Sequence, residues 1–156
     1  MKEINKVFDT YENETCALKL ERDVILVDGP DAGKYLQGQL TQDVLAMKEG
    51  ESVWSLLLNP DGKVNAWLRV SQISENQYFL DVDSDSGEAV IERLLRFKLR
   101  TECELTLEKW KGVTIVGKNA SSYAGKLSLR QIVAQTAWHK ISSVDIIGGD
   151  TKALLH

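Results

Sequence analysis

A tryptophan and an arginine at alternate positions of one predicted strand are the residues whose chemistry stands out. Trp67 and Arg69 fall on the same face of the strand 63–73, because side chains two residues apart point the same way. An indole ring can stack on a flat molecule while a guanidinium pairs with a carboxylate. Alternatively, a loop or a second subunit covers a surface tryptophan, with Arg69 stacked over it. The opposite face is predicted to be core: Val64, Ala66, Leu68 and Val70.

Other residue patterns that could indicate a particular reaction are incomplete in this sequence. The segment 28–34 carries glycines and a lysine before a predicted helix, but it lacks the spacing of a P-loop and its carboxylates would repel phosphate. His139 and His156 are too few and too isolated for a metal cage, so no metal site is expected. Cys16 and Cys103 stand outside any Cys-x-x-Cys pair. Two buried free thiols are favoured over a disulfide, because nothing else suggests a disulfide scaffold.

Composition narrows the class of protein. The 156 residues are 43% hydrophobic and 27% charged, as in folded proteins, and 19 Lys and Arg against 23 Asp and Glu give a net charge of −4. Direct binding to nucleic acid or a membrane is not expected, because phosphate contacts need clustered cations. The chain has no apolar run near the roughly 20 residues that cross a bilayer. Its first residues lack a secretory signal, so a cytoplasmic protein is expected.

The elements that must position Trp67 and Arg69 predict an α+β fold, an antiparallel sheet with flanking helices. Three strands separated by polar turns predict a meander: 51–59, 63–73 and 77–83. A strand or strand pair and a three-turn helix precede it, and a helix and a strand follow it: 15–28, 31–40, 86–99 and 103–109. The second helix is predicted to bury one side: Val90, Ile91, Leu94, Leu95 and Phe97.

The last third of the chain carries a weaker pattern. Lys111-Gly112 predicts a turn, and the segment 116–120 faintly resembles 27–32. Residues 1–110 are therefore expected to form one unit, and 111–156 the start of a second related half within the same compact domain. Further elements are predicted as a strand, a helix capped by Asn119, two strands and a helix capped by Asp150: 113–116, 119–126, 128–138, 143–147 and 150–155.

One glycine stands inside a predicted helix. Gly38 costs about 1 kcal/mol relative to alanine in a helix interior. Close packing against another backbone would explain it, and so would a ligand that approaches the helix. Thr41 and Asp43 follow as a polar turn that ends the helix by bonding neighbouring amides.

The segment 27–44, which reads VDGPDAGKYLQGQLTQDV, resembles the first signature of the YgfZ-type folate-binding proteins. These are relatives of the glycine-cleavage T-protein, an aminomethyltransferase. The positions that carry the motif are Gln37, Gly38, Gln39, Thr41 and Asp43. The resemblance continues in register to about residue 110 and is less clear beyond it.

The resemblance implies that this region is the first part of a three-domain ring around a tetrahydrofolate pocket. Trp54 falls at the aromatic position of the pteridine pocket, and Trp67, Arg69 and Asp81 are taken as further pocket-face residues. The aspartate that assists transfer in T-proteins falls on Trp67, which cannot accept a proton, so no catalytic residue is assigned. The YgfZ-type Lys-Gly-Cys-Tyr-x-Gly-Gln-Glu motif and the C-terminal β-barrel domain have no counterpart in this sequence.

Three functional hypotheses follow. The leading one is a non-catalytic YgfZ-like folate-binding-type module, with tetrahydrofolate as its ligand, that supports iron–sulfur enzymes and tRNA modification through one-carbon metabolism. The second is a folate-free interaction scaffold that uses the open pocket face. The third is an aminomethyltransferase that acts with a partner chain. Because the closing domains lie outside this sequence, a homodimer or a partner chain is expected to complete the pocket.

Overall fold

The computed structural model describes residues 14–123, 131–135 and 142–149. The chain divides into two compact units: one is Arg22–Trp110, and the other is formed by the described residues of Met1–Glu21 and Lys111–His156. None of the helices in these described ranges has the length and apolar character needed to span a membrane. The division falls after Trp110, and the described residues before Arg22 group with those that follow Lys111. The relation between the two halves stays a prediction.

The described ranges contain seven strands, two α-helices and two short 3₁₀ helices. The strands are β1 Thr15–Asp28, β2 Ser52–Leu58, β3 Val64–Ser74, β4 Gln77–Asp83, β5 Glu104–Gly117, β6 Gln131–Gln135 and β7 Ser143–Gly148. The helices are α1 Ala32–Gln37 and α2 Gly87–Arg96, with 3₁₀ helices at Val44–Ala46 and Ala120–Tyr123. Of the two predicted alternatives for 15–28, a strand or a strand pair, the structure has one continuous strand.

The larger unit, Arg22–Trp110, is built on a sheet with the strand order β2-β3-β4-β1-β5. Strands β2, β3 and β4 form the predicted antiparallel meander, and β1 pairs antiparallel with β4. The turn between β2 and β3 closes through the N–H of Gly62, which donates to the carbonyl of Asn59 at 2.9 Å. Gly62 has φ +80, as the sequence of that turn requires. The α+β prediction with an antiparallel sheet is confirmed.

One face of this sheet forms the core together with α1 and α2. Leu68 and Val70 of β3 are fully buried there and Ala66 packs against them, so the predicted core face of the strand is confirmed at these positions. Val64 is 57% exposed, against the prediction. The reason is that β3 extends past the pairing with β4, whose register begins at the pair Arg69 and Asp81.

Helix α1 is shorter than the predicted three turns. It ends at Gln37, because the chain turns to pair with β2: Leu40 forms a bridge with Leu57, and the N–H of Thr41 donates to the carbonyl of Leu56 at 3.0 Å. Pairing with a strand therefore ends the helix before the predicted limit at residue 40.

Helix α2 also ends early, at Arg96 instead of residue 99. Its buried stripe consists of Val90 and Leu94, four residues apart, with Ile91 partly buried beside them. Leu95 and Phe97 were predicted on that side, but they are 50% and 39% exposed. The stripe is narrower than predicted because only one edge of the helix faces the sheet.

In the smaller unit the strands follow the order β1-β5-β7-β6. The prediction of a turn at Lys111-Gly112 is wrong, because β5 runs through it without a break. Gly112 pairs with Ile147 of β7, and a Cβ at Gly112 would lie 2.5 Å from the backbone oxygen of Ile146. The glycine therefore allows two strands to approach closely and does not bend the chain.

The other predictions for this unit are met in part. Strands β6 and β7 confirm those predicted over 128–138 and 143–147, within the described residues. The helix predicted over 119–126 is a 3₁₀ turn over Ala120–Tyr123, and its last three predicted residues lie outside the described ranges. The helix over 150–155, with its cap Asp150, lies outside them as well. Of the two cysteine thiols, both of which are free, only Cys103 is buried, and Cys16 is half-buried.

Replacing Gly112 by alanine is expected to lower the free energy of unfolding by about 1–3 kcal/mol, because the added methyl group must push two paired strands apart. Gly38→Ala is the matched control: Gly38 has φ −82, and a Cβ there would meet only the carbonyl oxygen of Tyr35 at 3.5 Å. That control should be neutral or stabilising by up to about 1 kcal/mol. Urea unfolding followed by circular dichroism measures both, and equal effects would contradict the close-approach interpretation.

Candidate functional site

The strand register brings the predicted pocket residues into one row. Trp54 of β2 lies opposite Arg69 of β3, and Arg69 lies opposite Asp81 of β4. Side chains directly opposite each other on antiparallel strands share a face of the sheet. This is the face opposite to the one on which Leu68 and Val70 enter the core.

A buried ion cluster forms the centre of this row. The Nε and Nη2 atoms of Arg69 lie 2.8 and 3.1 Å from the two carboxylate oxygens of Asp81. Arg22 of β1 donates from Nε to Asp81 Oδ1 at 3.1 Å, and its Nη1 contacts the carboxylate of Asp83. The side chains of Arg69 and Asp81 are 1% and 0% exposed. Two guanidinium groups thus hold one buried carboxylate, an arrangement that combines charge with fixed geometry.

Two tryptophan rings follow the arginine. The Cζ atom of Arg69 lies 5.1 Å from the centre of the Trp54 ring. The ring centres of Trp54 and Trp67 are 5.0 Å apart, with the planes inclined by 43°. Trp54 is half-buried, whereas Trp67 is 48% exposed. The outer ring can therefore stack on a flat molecule, while the inner ring and the guanidinium support it from behind.

The four predicted pocket-face residues, Trp54, Trp67, Arg69 and Asp81, are thus brought together. Their roles differ from the expectation in one respect: Arg69 is buried, bonded to Asp81 and stacked on Trp54, so its position suits support of the rings. Sequence reasoning missed Arg22, which is 59 residues from Asp81 along the chain. An arginine next to the buried run of β1 was the signal that could have indicated it.

A pocket of about 360 Å³ adjoins the ring of Trp67. Its apolar lining comes from Ala66, Val82 and Val90, and its polar lining includes Asp83 and Asp85. Lys109 lies 3.2 Å from the carboxylate of Asp85, and this hydrogen bond raises the pKa of Lys109. The pocket therefore offers an apolar surface, an aromatic edge and hydrogen-bond acceptors.

The motif residues of the segment 37–43 connect α1 to β2. The Oε1 atom of Gln37 accepts the N–H groups of Val44 and Leu45 at 2.7 and 3.1 Å, and so caps the 3₁₀ helix. Thr41 accepts the N–H of Leu56 on β2 at 3.0 Å. The amide that Thr41 binds therefore lies on β2, and not in the predicted local turn.

Two further positions of the motif differ from expectation. Asp43 stands at the N-cap of the 3₁₀ helix but makes no side-chain capping bond, since Gln37 fills that role. Gly38 has φ −82 and no backbone closer than 3.5 Å to its would-be Cβ, so close packing against another backbone does not explain it.

The buried thiol of Cys103 is poorly suited to nucleophilic chemistry. Burial raises the pKa of the Cys103 thiol, and Lys98 offsets the shift only in part. A thiol with a raised pKa stays protonated at neutral pH and is a poor nucleophile. Across the described ranges, no group of three or more His, Cys, Asp and Glu side chains is placed to hold a metal ion.

Comparisons with known proteins agree with this architecture. Residues 22–154 match the family model of the GCVT N-terminal domain. The chain is 32% identical over 106 residues to an uncharacterized protein of Haemophilus influenzae, covering 68% of this chain and 38% of that protein. It is 25% identical over 122 residues to an aminomethyltransferase of Clostridium botulinum, covering 78% of this chain and 30% of the relative.

A solved structure shares the fold. The crystal structure of glycine cleavage system aminomethyltransferase T from Bartonella henselae matches with a TM-score of 0.79 at 17% identity, over 91% of this chain and 44% of that one. Sheet and sequence together define a domain of the glycine-cleavage T-protein class. The chain belongs to the GCVT N-terminal domain family. It spans 38% and 30% of the lengths of the two relatives named above.

Replacing Asp81 by asparagine is expected to lower the free energy of unfolding by about 3–5 kcal/mol, because two guanidinium groups would lose their shared buried counter-charge. The control is Asp61→Asn, which removes an exposed carboxylate paired with Lys63 at the β2–β3 turn and should leave stability unchanged. Thermal and urea unfolding measure both variants. Equal stability of the two would show that the ion cluster does not hold the sheet.

Proposed function

We propose that this chain is a folate-binding-type module without aminomethyltransferase catalysis, with tetrahydrofolate as its ligand. The observation that carries the proposal is the identity and exposure of Trp67. By resemblance it occupies the position of the assisting aspartate, and an indole cannot accept a proton. Its ring is half exposed beside Trp54, which suits the stacking of a pteridine or an aminobenzoate ring.

The neighbouring groups support a binding role in complementary ways. Asp81 fixes Arg69, Arg69 lies under Trp54, and Trp54 backs Trp67. A ring held by such a chain of contacts is preorganised, so little entropy is lost when a flat ligand stacks on it. The carboxylates of Asp83 and Asp85 suit a heterocycle that presents N–H donors.

We infer that a second copy of the chain or a partner chain completes the pocket. Support comes from the site itself: the ring of Trp67 is 48% exposed beside Trp54, so a second chain could cover it. The YgfZ resemblance extends the proposal to a cytoplasmic role in one-carbon metabolism, in support of iron–sulfur enzymes and tRNA modification.

A folate-free interaction scaffold is the second candidate. The observation that favours it is the aromatic surface of the pocket face, where Trp67 is 48% exposed beside Trp54. Exposed apolar residues of this kind often mark contact surfaces. An aminomethyltransferase that acts with a partner chain is the third candidate, and the indole at position 67 counts against it.

Titration with tetrahydrofolate, by calorimetry and by tryptophan fluorescence, tests the binding proposal. The unaltered chain should bind with quenching of its fluorescence, and Trp67→Ala should weaken binding by about 1–3 kcal/mol, the range found for bases stacked on aromatic side chains. Trp110→Phe is the control, because Trp110 packs edge-on against Phe79 and does not line the pocket beside Trp67, so the change should leave binding unchanged.

The alternatives give different results in the same measurements. No binding by the unaltered chain, together with loss of self-association in Trp67→Ala, would favour the scaffold. A large loss of stability in Trp67→Ala without any effect on folate would assign this residue to packing and end the pocket proposal.

A further inference from the structure

A second pocket, of about 330 Å³, lies where the end of α1 meets the segment that follows α2. Its lining includes Lys34, Gly38 and Gln39 from the α1 side, and Leu99 and Arg100 from the other. We propose that this pocket binds an oxyanion, the carboxylate or phosphate group of a small ligand. The proposal is independent of folate binding at Trp67.

The charges of the pocket favour an anion. Lys34 and Arg100 are both exposed, and neither side chain makes an ion pair or a hydrogen bond with any residue in the described part of the chain. Asp31 is the carboxylate in the lining, and its Oδ2 accepts the N–H of Glu102 at 2.9 Å. The chain as a whole has a net charge of −4, so a locally cationic pocket focuses the attractive field for an anion at one place on its surface.

The uncharged polar groups add a donor. The Oε1 atom of Gln39 accepts from Nη1 of Arg93 at 3.3 Å, so the amide nitrogen of Gln39 is the group that can donate to a ligand. The hydroxyl group of Tyr35 donates to the carbonyl of Leu94 at 2.7 Å and is directed into the fold. Ammonium, guanidinium and amide donors together match the acceptor oxygens of a carboxylate or a phosphate.

Two backbone features also point to a ligand. Gly38 has an ordinary helical φ and room for a side chain, so neither conformation nor packing within the described residues requires glycine there. Its missing side chain leaves the helix end open to the pocket. Arg100 has φ +52, a conformation that residues other than glycine rarely adopt and that is often found at binding sites.

The test is a titration of the ¹⁵N-labelled full chain with inorganic phosphate and, separately, with glutarate, at constant ionic strength. We expect the backbone amide signals of Gly38, Gln39 and Arg100 to shift in a saturable way. Lys34→Gln should weaken binding about tenfold, the effect of losing one charge-assisted contact. Gly38→Leu should abolish binding by filling the pocket, and φ −82 accommodates leucine without strain.

The matched control is Arg96→Gln, which removes one exposed cation paired with Glu92 on α2, outside the pocket lining. It changes the net charge as Lys34→Gln does and should leave both titrations unchanged. Arg100→Asn should weaken binding like Lys34→Gln, because asparagine tolerates positive φ. Should Arg100→Asn fail to fold, Lys34→Gln and Gly38→Leu carry the test.

The two probes distinguish the source of the oxyanion. Saturation by phosphate alone would assign a phosphate ester, saturation by glutarate alone a carboxylate, and saturation by both the shared chemistry. The proposal is overturned if the shifts do not saturate with either probe, or if Arg96→Gln weakens binding as much as Lys34→Gln.

Discussion

The carboxylate of Asp81, held between the guanidinium groups of Arg22 and Arg69, is the interaction on which the candidate site depends. These three side chains come from β4, β1 and β3, so the cluster connects three adjacent strands on one face of the sheet. Charges this deeply buried are tolerated only when they compensate each other. Trp54 lies on Arg69 and Trp67 lies on Trp54, so the exposed indole is positioned through the cluster.

The sequence placed two roles on one face of β3: stacking by Trp67 and anion binding by Arg69. The structure separates them. Arg69 was expected to receive an anionic group of the ligand, but both oxygens of Asp81 already engage it. The anion-binding chemistry of the larger unit is better represented at Lys34 and Arg100, and the aromatic chemistry at Trp67. Cationic and aromatic surfaces are therefore presented by different parts of this unit.

Sequence reasoning predicted the meander, because period-two alternation and the Asn59–Gly62 turn are local signals that tertiary structure did not override. It failed at Lys111-Gly112, where a glycine serves a contact with β7 that no local pattern reveals. The candidate site likewise has a part that local pattern predicts and a part that depends on tertiary contacts. Alternation placed Trp67 and Arg69 on one face, but the partner Arg22 depends on how β1 pairs with β4, which a single sequence does not encode locally.

The 59-residue separation of Arg22 and Asp81 has a consequence for how the chain is made. During synthesis, Arg22 leaves the ribosome well before Asp81 exists, so its guanidinium remains hydrated until β4 has emerged and docked beside β1. Contacts between distant parts of a sequence form late, because a long loop must close first. Arg69 and Asp81 are only 12 residues apart on neighbouring strands, so their contact closes a much shorter loop than the contact of Asp81 with Arg22 does.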